Sequence, residues 1–182
     1  SNYSLYADIS DRIMSILKKS FSEVEVYSID EAFFNLNRIN KREVICFELA
    51  NRILKWTGIP VSIGIAETKT LAKITNRVIK KKKNYKNIKL RYTNVLEINS
   101  DKELEYILEN TKILDVWGVG NRLSVFLSEH NIKNALEFRN SNENFMKKEK
   151  GILMKKTIYE LRKIKCYGIE TTVSHKKSIC VS

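Results

Sequence analysis

The chain has 182 residues, 33 Lys plus Arg against 21 Asp plus Glu and a formal net charge of +12, which bounds it to one or two small domains. With 43% hydrophobic residues and a single proline it can bury a core, and no apolar run approaches the ~18 residues of a membrane span. The longest weakly polar stretch is Gly58 to Ala66, and the amino terminus lacks a signal peptide's order of basic then apolar residues, so a cytoplasmic location is expected.

Leu5, Ile9, Ile13, Ile16 and Leu17 recur at helical spacing and predict an amphipathic helix over Ser4 to Lys19. Val24 to Ser28 and Ala32 to Asn37 read as two antiparallel strands meeting at an acidic corner, Ile29, Asp30 and Glu31. A helix follows from Lys41 to Trp56. Gly58 and Pro60 mark a turn before a buried strand, Val61 to Ile65. Thr68 then caps a helix reaching to about Lys81, on which Lys69, Lys73, Arg77 and Lys81 form one basic face. Its other face carries Leu71, Ala72, Thr75, Val78 and Ile79, so half of this helix is expected to pack and half to meet phosphate or water.

Strand-like residues end near Glu97, and Ser100, Asp101, Lys102 and Glu103 spell a capping box, which places a domain boundary there. The remainder reads as short helices over Asp101 to Glu109, Thr111 to Asp115, Asn121 to Glu129, Asn134 to Arg139 and Ile152 to Ile164. The second half is therefore all-α and the whole α+β. From Gly168 the chain reads as a linker, with a strand begun at Ser178 to Val181.

The charge is uneven: Lys69 to Arg91 holds ten basic residues and no acidic one, and Lys147 to Lys177 another ten against three acids. Such runs suit a polyanion, although on their own they are also ordinary solvated surface. Cys46, Cys166 and Cys180 are odd in number and far apart, and His130 and His175 make no cluster with them. Disulfide frameworks, structural zinc and Cys/His catalysis are thereby excluded. Asp30 and Glu31 admit two readings, an ion pair or turn and a metal site. A regular strand sends adjacent side chains to opposite faces, so joint metal binding requires a bend or bulge there. Magnesium needs hard carboxylate oxygens and open positions for phosphates, of which one Asp and one Glu supply a part.

VEVYSIDEAFFNL (Val24 to Leu36) and IPVSIGIAETKTLAKITNRVIKK (Ile59 to Lys81) resemble the catalytic palm of Y-family translesion DNA polymerases. DVWGVGNRLSVFL (Asp115 to Leu127) resembles that family's thumb, and TIYELRKIKC (Thr157 to Cys166) is similar to its UmuC-type branch. The resemblance implies a partial palm over residues 1–98, a helical thumb with a helix-hairpin-helix over 99–168, and a lead into a little-finger domain over 169–182. It implies part of an error-prone, lesion-bypass polymerase of the SOS type. Asp30 and Glu31 would ligate two magnesium ions, and Lys80, assisted by Arg77, would meet the nucleotide's triphosphate. Gly118, Val119, Gly120, Arg122 and Lys73 would grip DNA without regard to sequence, with Trp117 a core anchor. Implied partners are primer-template DNA, deoxynucleoside triphosphates, a UmuD-type accessory subunit and the sliding clamp, with no membrane.

This sequence departs from the family's pattern at Asn35, usually acidic, and at His130 and Asn131, usually Leu and Gly. The family's first metal-binding aspartate, its aromatic steric gate and its fingers precede the residues matching Ser1, so this chain by itself is expected to be inactive. A non-catalytic DNA-binding module and a partner-binding remnant are the alternatives.

Overall fold

The computed structural model describes residues 2–171; the expected strand at Ser178 to Val181, together with His175, Lys176, Lys177 and Cys180, lies outside the described residues. Residues up to Ile39, with those from Gly168, form one compact unit, and Asn40–Tyr167 form another.

In the first unit, helix α1 (Tyr3–Ser20) starts at Asn2, whose side-chain oxygen accepts the Leu5 amide at 3.2 Å, and ends with Lys18 and Lys19 in its last turn, where cations complement the helix dipole. It buries Met14, Ile16 and Leu17. Strands β1 (Val24–Val26) and β2 (Ala32–Phe34) pair antiparallel with Val24 opposite Phe34. Phe21 stacks on Phe34 at 4.5 Å, and the Glu170 amide donates to the Glu25 carboxylate at 2.7 Å.

The second unit opens with α2 (Arg42–Thr57), which buries Cys46, Leu49, Ala50 and Ile53. Strand β3 (Ile63–Ile65) runs parallel to β4 (Val95–Glu97), and the basic helix α3 (Lys69–Lys80) lies in the crossover between them. Gly64 makes this packing possible: a Cβ there would stand 2.4 Å from the Asn76 amide nitrogen and 2.5 Å from the Ala72 carbonyl. A glycine inside a strand here marks a helix backbone lying directly on the sheet.

Among the described residues beyond β4 the regular elements are helical. They are α4 (Asp101–Glu109), α5 (Asn121–Glu129), α6 (Ala135–Asn140), α7 (Glu143–Lys150) and α8 (Ile152–Leu161), with a 3-10 turn over Ile113–Asp115. One hydrophobic cluster runs from Leu71, Ile74 and Val78 of α3 through Leu104, Leu108, Leu127 and Phe138 to Ile158 and Leu161. The stretch expected to be helical over Thr111 to Asp115 is only the 3-10 turn, and α7 was not expected. The helix expected to reach Ile164 stops at Leu161, because Lys163 enters the left-handed region at φ 67° and the Ile164 amide folds back to the Tyr159 carbonyl at 2.8 Å.

Candidate functional site

The acidic corner is the loop joining β1 to β2. Tyr27 and Ser28, which follow β1, both donate their amides to the Glu31 carbonyl at 3.0 Å and close the loop. Residues 28–30 form a bend, so Asp30 and Glu31 are not held to the alternation of a regular strand. Asp30 is exposed and accepts the Ser28 hydroxyl at 2.7 Å, while Glu31 is half-buried. The Ser10 hydroxyl of α1 donates to the Ile29 carbonyl and pins the loop from below. The donor set is of the hard-oxygen kind magnesium prefers, but two carboxylates are only part of a two-metal set. Among the described residues no group of three or more acids, histidines or cysteines stands close enough to hold a metal. Asn35, where the family pattern is acidic, donates its side-chain amide to Glu23.

In the second unit, α3 is capped by Thr68, whose hydroxyl oxygen accepts the Leu71 amide at 3.3 Å. Its basic face is not the solvated stripe that spacing predicts. Lys69 is buried, Lys73 lies with its ammonium 5.3 Å from the Trp117 ring centre, and Arg77 pairs with Asp115. Lys81 approaches the second Asp115 oxygen at 3.9 Å, and Lys80 is exposed. Tertiary neighbours claimed cations that periodicity assigns to water.

The loop from Asp115 to Gly120 is shaped by alternation. Val116 and Val119 are 2% and 6% exposed and anchor it in the core, while Gly118 and Gly120 face outward. Gly118 sits at φ 85°, a conformation that only glycine adopts without strain. Gly120 precedes α5 without a side-chain cap, leaving the first-turn amides beside exposed Arg122 oriented for an anion. Trp117 is half-buried and meets Tyr167 edge-on at 5.6 Å. Asn131 takes φ 60° after α5, the left-handed terminus that asparagine tolerates.

Sequence reasoning missed Glu160. This fully buried carboxylate accepts the Thr70 amide at 3.1 Å through one oxygen and the Cys166 and Tyr167 amides at 2.7 and 3.3 Å through the other. Its own carbonyl accepts the Thr68 hydroxyl at 2.9 Å. It therefore staples the first turn of α3 to the segment leaving α8, and burial followed by its charge pushes the Cys166 thiol and Tyr167 phenol up.

Residues 1–77 match the model of the impB/mucB/samB family. The whole chain is 37% identical over 186 residues to Protein UmuC of Salmonella typhimurium, of which it covers 42%. It is 33% identical over 163 residues to DNA polymerase IV of Picrophilus torridus, with 90% of this chain and 44% of that protein aligned. The insertion ternary complex of Dbh DNA polymerase superposes with a TM-score of 0.70 at 26% identity over 93% of this chain and 48% of that one. The first 77 residues are thus similar to the impB/mucB/samB family, and the whole chain is similar to part of UmuC. It spans less than half the length of the curated relatives it matches.

Proposed function

We propose that the chain is the palm-and-thumb portion of a template-directed, error-prone DNA polymerase acting in lesion bypass. The observation that carries this reading is the order of three features in one chain. The Asp30–Glu31 loop comes first, then a helix ending in exposed Lys80, then a glycine loop with uncapped amides. In support, the whole of this chain aligns with 42% of UmuC at 37% identity. On this reading residues 1–98 are palm, 99–168 are thumb with a helix-hairpin-helix, and 169–182 lead toward a little finger.

Asp30 and Glu31 would hold magnesium, which when bound lowers the barrier by neutralising charge on the reacting phosphate. The Ser28 hydroxyl donates to the Asp30 carboxylate and orients it. Lys80 meets the triphosphate as a compact charge; Arg77, engaged by Asp115, supports the same helix. Gly118, Val119, Gly120 and Arg122 present backbone amides and a cation to duplex phosphates, and Lys73 stiffens the loop through Trp117. Primer-template DNA and deoxynucleoside triphosphates are the substrates, with a UmuD-type subunit and the sliding clamp as partners. No helix among the described residues is long and apolar enough to cross a membrane, and we place the protein in the cytoplasm on its DNA substrate.

The test is single-nucleotide primer extension by a protein carrying this chain at the length of its relatives. Asp30→Ala and Glu31→Ala should each collapse kcat while leaving DNA affinity nearly unchanged. Extension at wild-type rates by both would reduce the acidic loop to a turn.

A further inference from the structure

Two cations one helical turn apart on α3, Lys73 and Arg77, and a third just past its end, Lys81, converge on the loop that presents Gly118. Lys73 stands 5.3 Å from the Trp117 ring centre, Arg77 is paired with one oxygen of Asp115, and Lys81 lies 3.9 Å from the other. Residues 73 and 77 share one face by the helical period, and Lys81 follows at the helix end. The loop is thus held from beneath by Val116 and Val119 in the core and from the side by α3. Asp115 is itself mostly buried, its side chain 17% exposed, and the Arg77 Nε is buried without an acceptor. The Arg77 side chain is 33% exposed, but Asp115 compensates its charge, and turning the guanidinium to a phosphate would leave the mostly buried carboxylate without its strongest partner.

We propose that Arg77 and Asp115, with Lys73, are positioning residues of the duplex grip. They fix the shape of the loop from Asp115 to Gly120 and join it to the Lys80-bearing helix as one rigid piece, and Arg77 touches neither triphosphate nor DNA. This rests on the reading of Gly118 to Gly120 as the duplex contact. It also reassigns a cation that the family resemblance puts on the nucleotide.

Ordinary electrostatics and this proposal disagree on Asp115→Asn. Removing an acid from a DNA-binding surface should raise affinity, whereas releasing Arg77 and the loop should lower it. The experiment is fluorescence anisotropy of the whole chain with a labelled duplex and a single strand of equal length, across a salt titration. Asp115→Asn and Arg77→Met should each weaken duplex binding about tenfold. Single-strand affinity should stay within about twofold, and the slope of log affinity against log salt should not change, because the contacts weakened are backbone amides and no cation is withdrawn from a phosphate. Arg77→Asp combined with Asp115→Arg should recover most of the loss.

Partial unfolding lowers both affinities equally, so an unchanged duplex-to-single-strand ratio overturns the proposal. So does tighter duplex binding by Asp115→Asn, or a slope for Arg77→Met shallower by about 0.9, the signature of a lost phosphate contact. Lys73→Met, which leaves the Asp115 pair intact, should show the same selective loss in smaller degree. Absence of duplex binding by the unaltered chain would instead remove the underlying reading.

Discussion

At the residue scale, chemistry and packing follow from single atoms with no room to move. The strand residue Gly64 lies against the α3 backbone, so Gly64→Ala should destabilise the protein by about 3 kcal/mol, since neither the helix backbone nor the strand can yield cheaply. A melting temperature lowered by roughly 6–12 °C is the expected readout. Cys46 shows the electrostatic counterpart. Burial, followed by the charge of Glu97, pushes its thiol from 9.0 up to about 12. A folded-state pKa above the unfolded one means that the native state holds the proton longer. The stability it contributes is therefore complete below pH 9.0 and is lost as pH rises toward 12. The stability advantage of wild type over Cys46→Ala should shrink by about 2 kcal/mol on going from neutral to about pH 10.5, measured by urea unfolding. At pH 8 a thiol reagent should leave the Cys46 peptide unlabelled in the native protein, because no thiolate is present to react.

At the level of secondary structure, the best-read pieces were those whose local signals agreed with their packing. Helix α5 spans Asn121–Glu129 as periodicity predicts, and α1 differs from expectation by one residue at each end. The antiparallel pair around the acidic corner was legible because β-branched and aromatic runs flank it. Helix α7 escaped because ENFMKKEK buries only Met146 and carries too little apolar periodicity to register. The Ser100 capping box formed with a shift: Glu103 accepts the Asn99 amide at 2.9 Å in place of the Ser100 amide. The candidate site was legible as residue types but not as partnerships. Nothing local says that Arg77 faces Asp115 across 38 positions, or that Glu160, in a stretch reading as charged surface, is fully buried. Such pairs exist only once the chain has folded. Glu160→Ala leaves three backbone amides without their acceptor and should lower stability by roughly 3 kcal/mol or more by urea unfolding. Glu160→Gln should be intermediate, since one of its two ends turns a donor toward a donor.

Across the whole molecule, the two units differ in the sign of their charge. Residues 1–39 carry six Asp and Glu against four Lys and Arg, and residues 40–167 carry 27 Lys and Arg against 14 Asp and Glu. Phosphate affinity should accordingly reside in residues 40–167, which also contain the large hydrophobic cluster. With about five phosphates neutralised, log affinity for duplex DNA should fall against log salt with a slope of roughly −4 to −5, for the whole chain and for residues 40–167 alike. A flat dependence would mean that the basic residues are solvated surface. The Glu160 staple adds a condition on synthesis. Thr70 and its partner lie 90 positions apart, so a nascent chain that has just exposed α3 must wait while about 90 more residues are translated, ~5–18 s at common rates. Through that interval the first turn of α3, at Thr68 and Thr70, stands without the carboxylate and carbonyl of Glu160, although β3 is already made and can cover the rest of the helix.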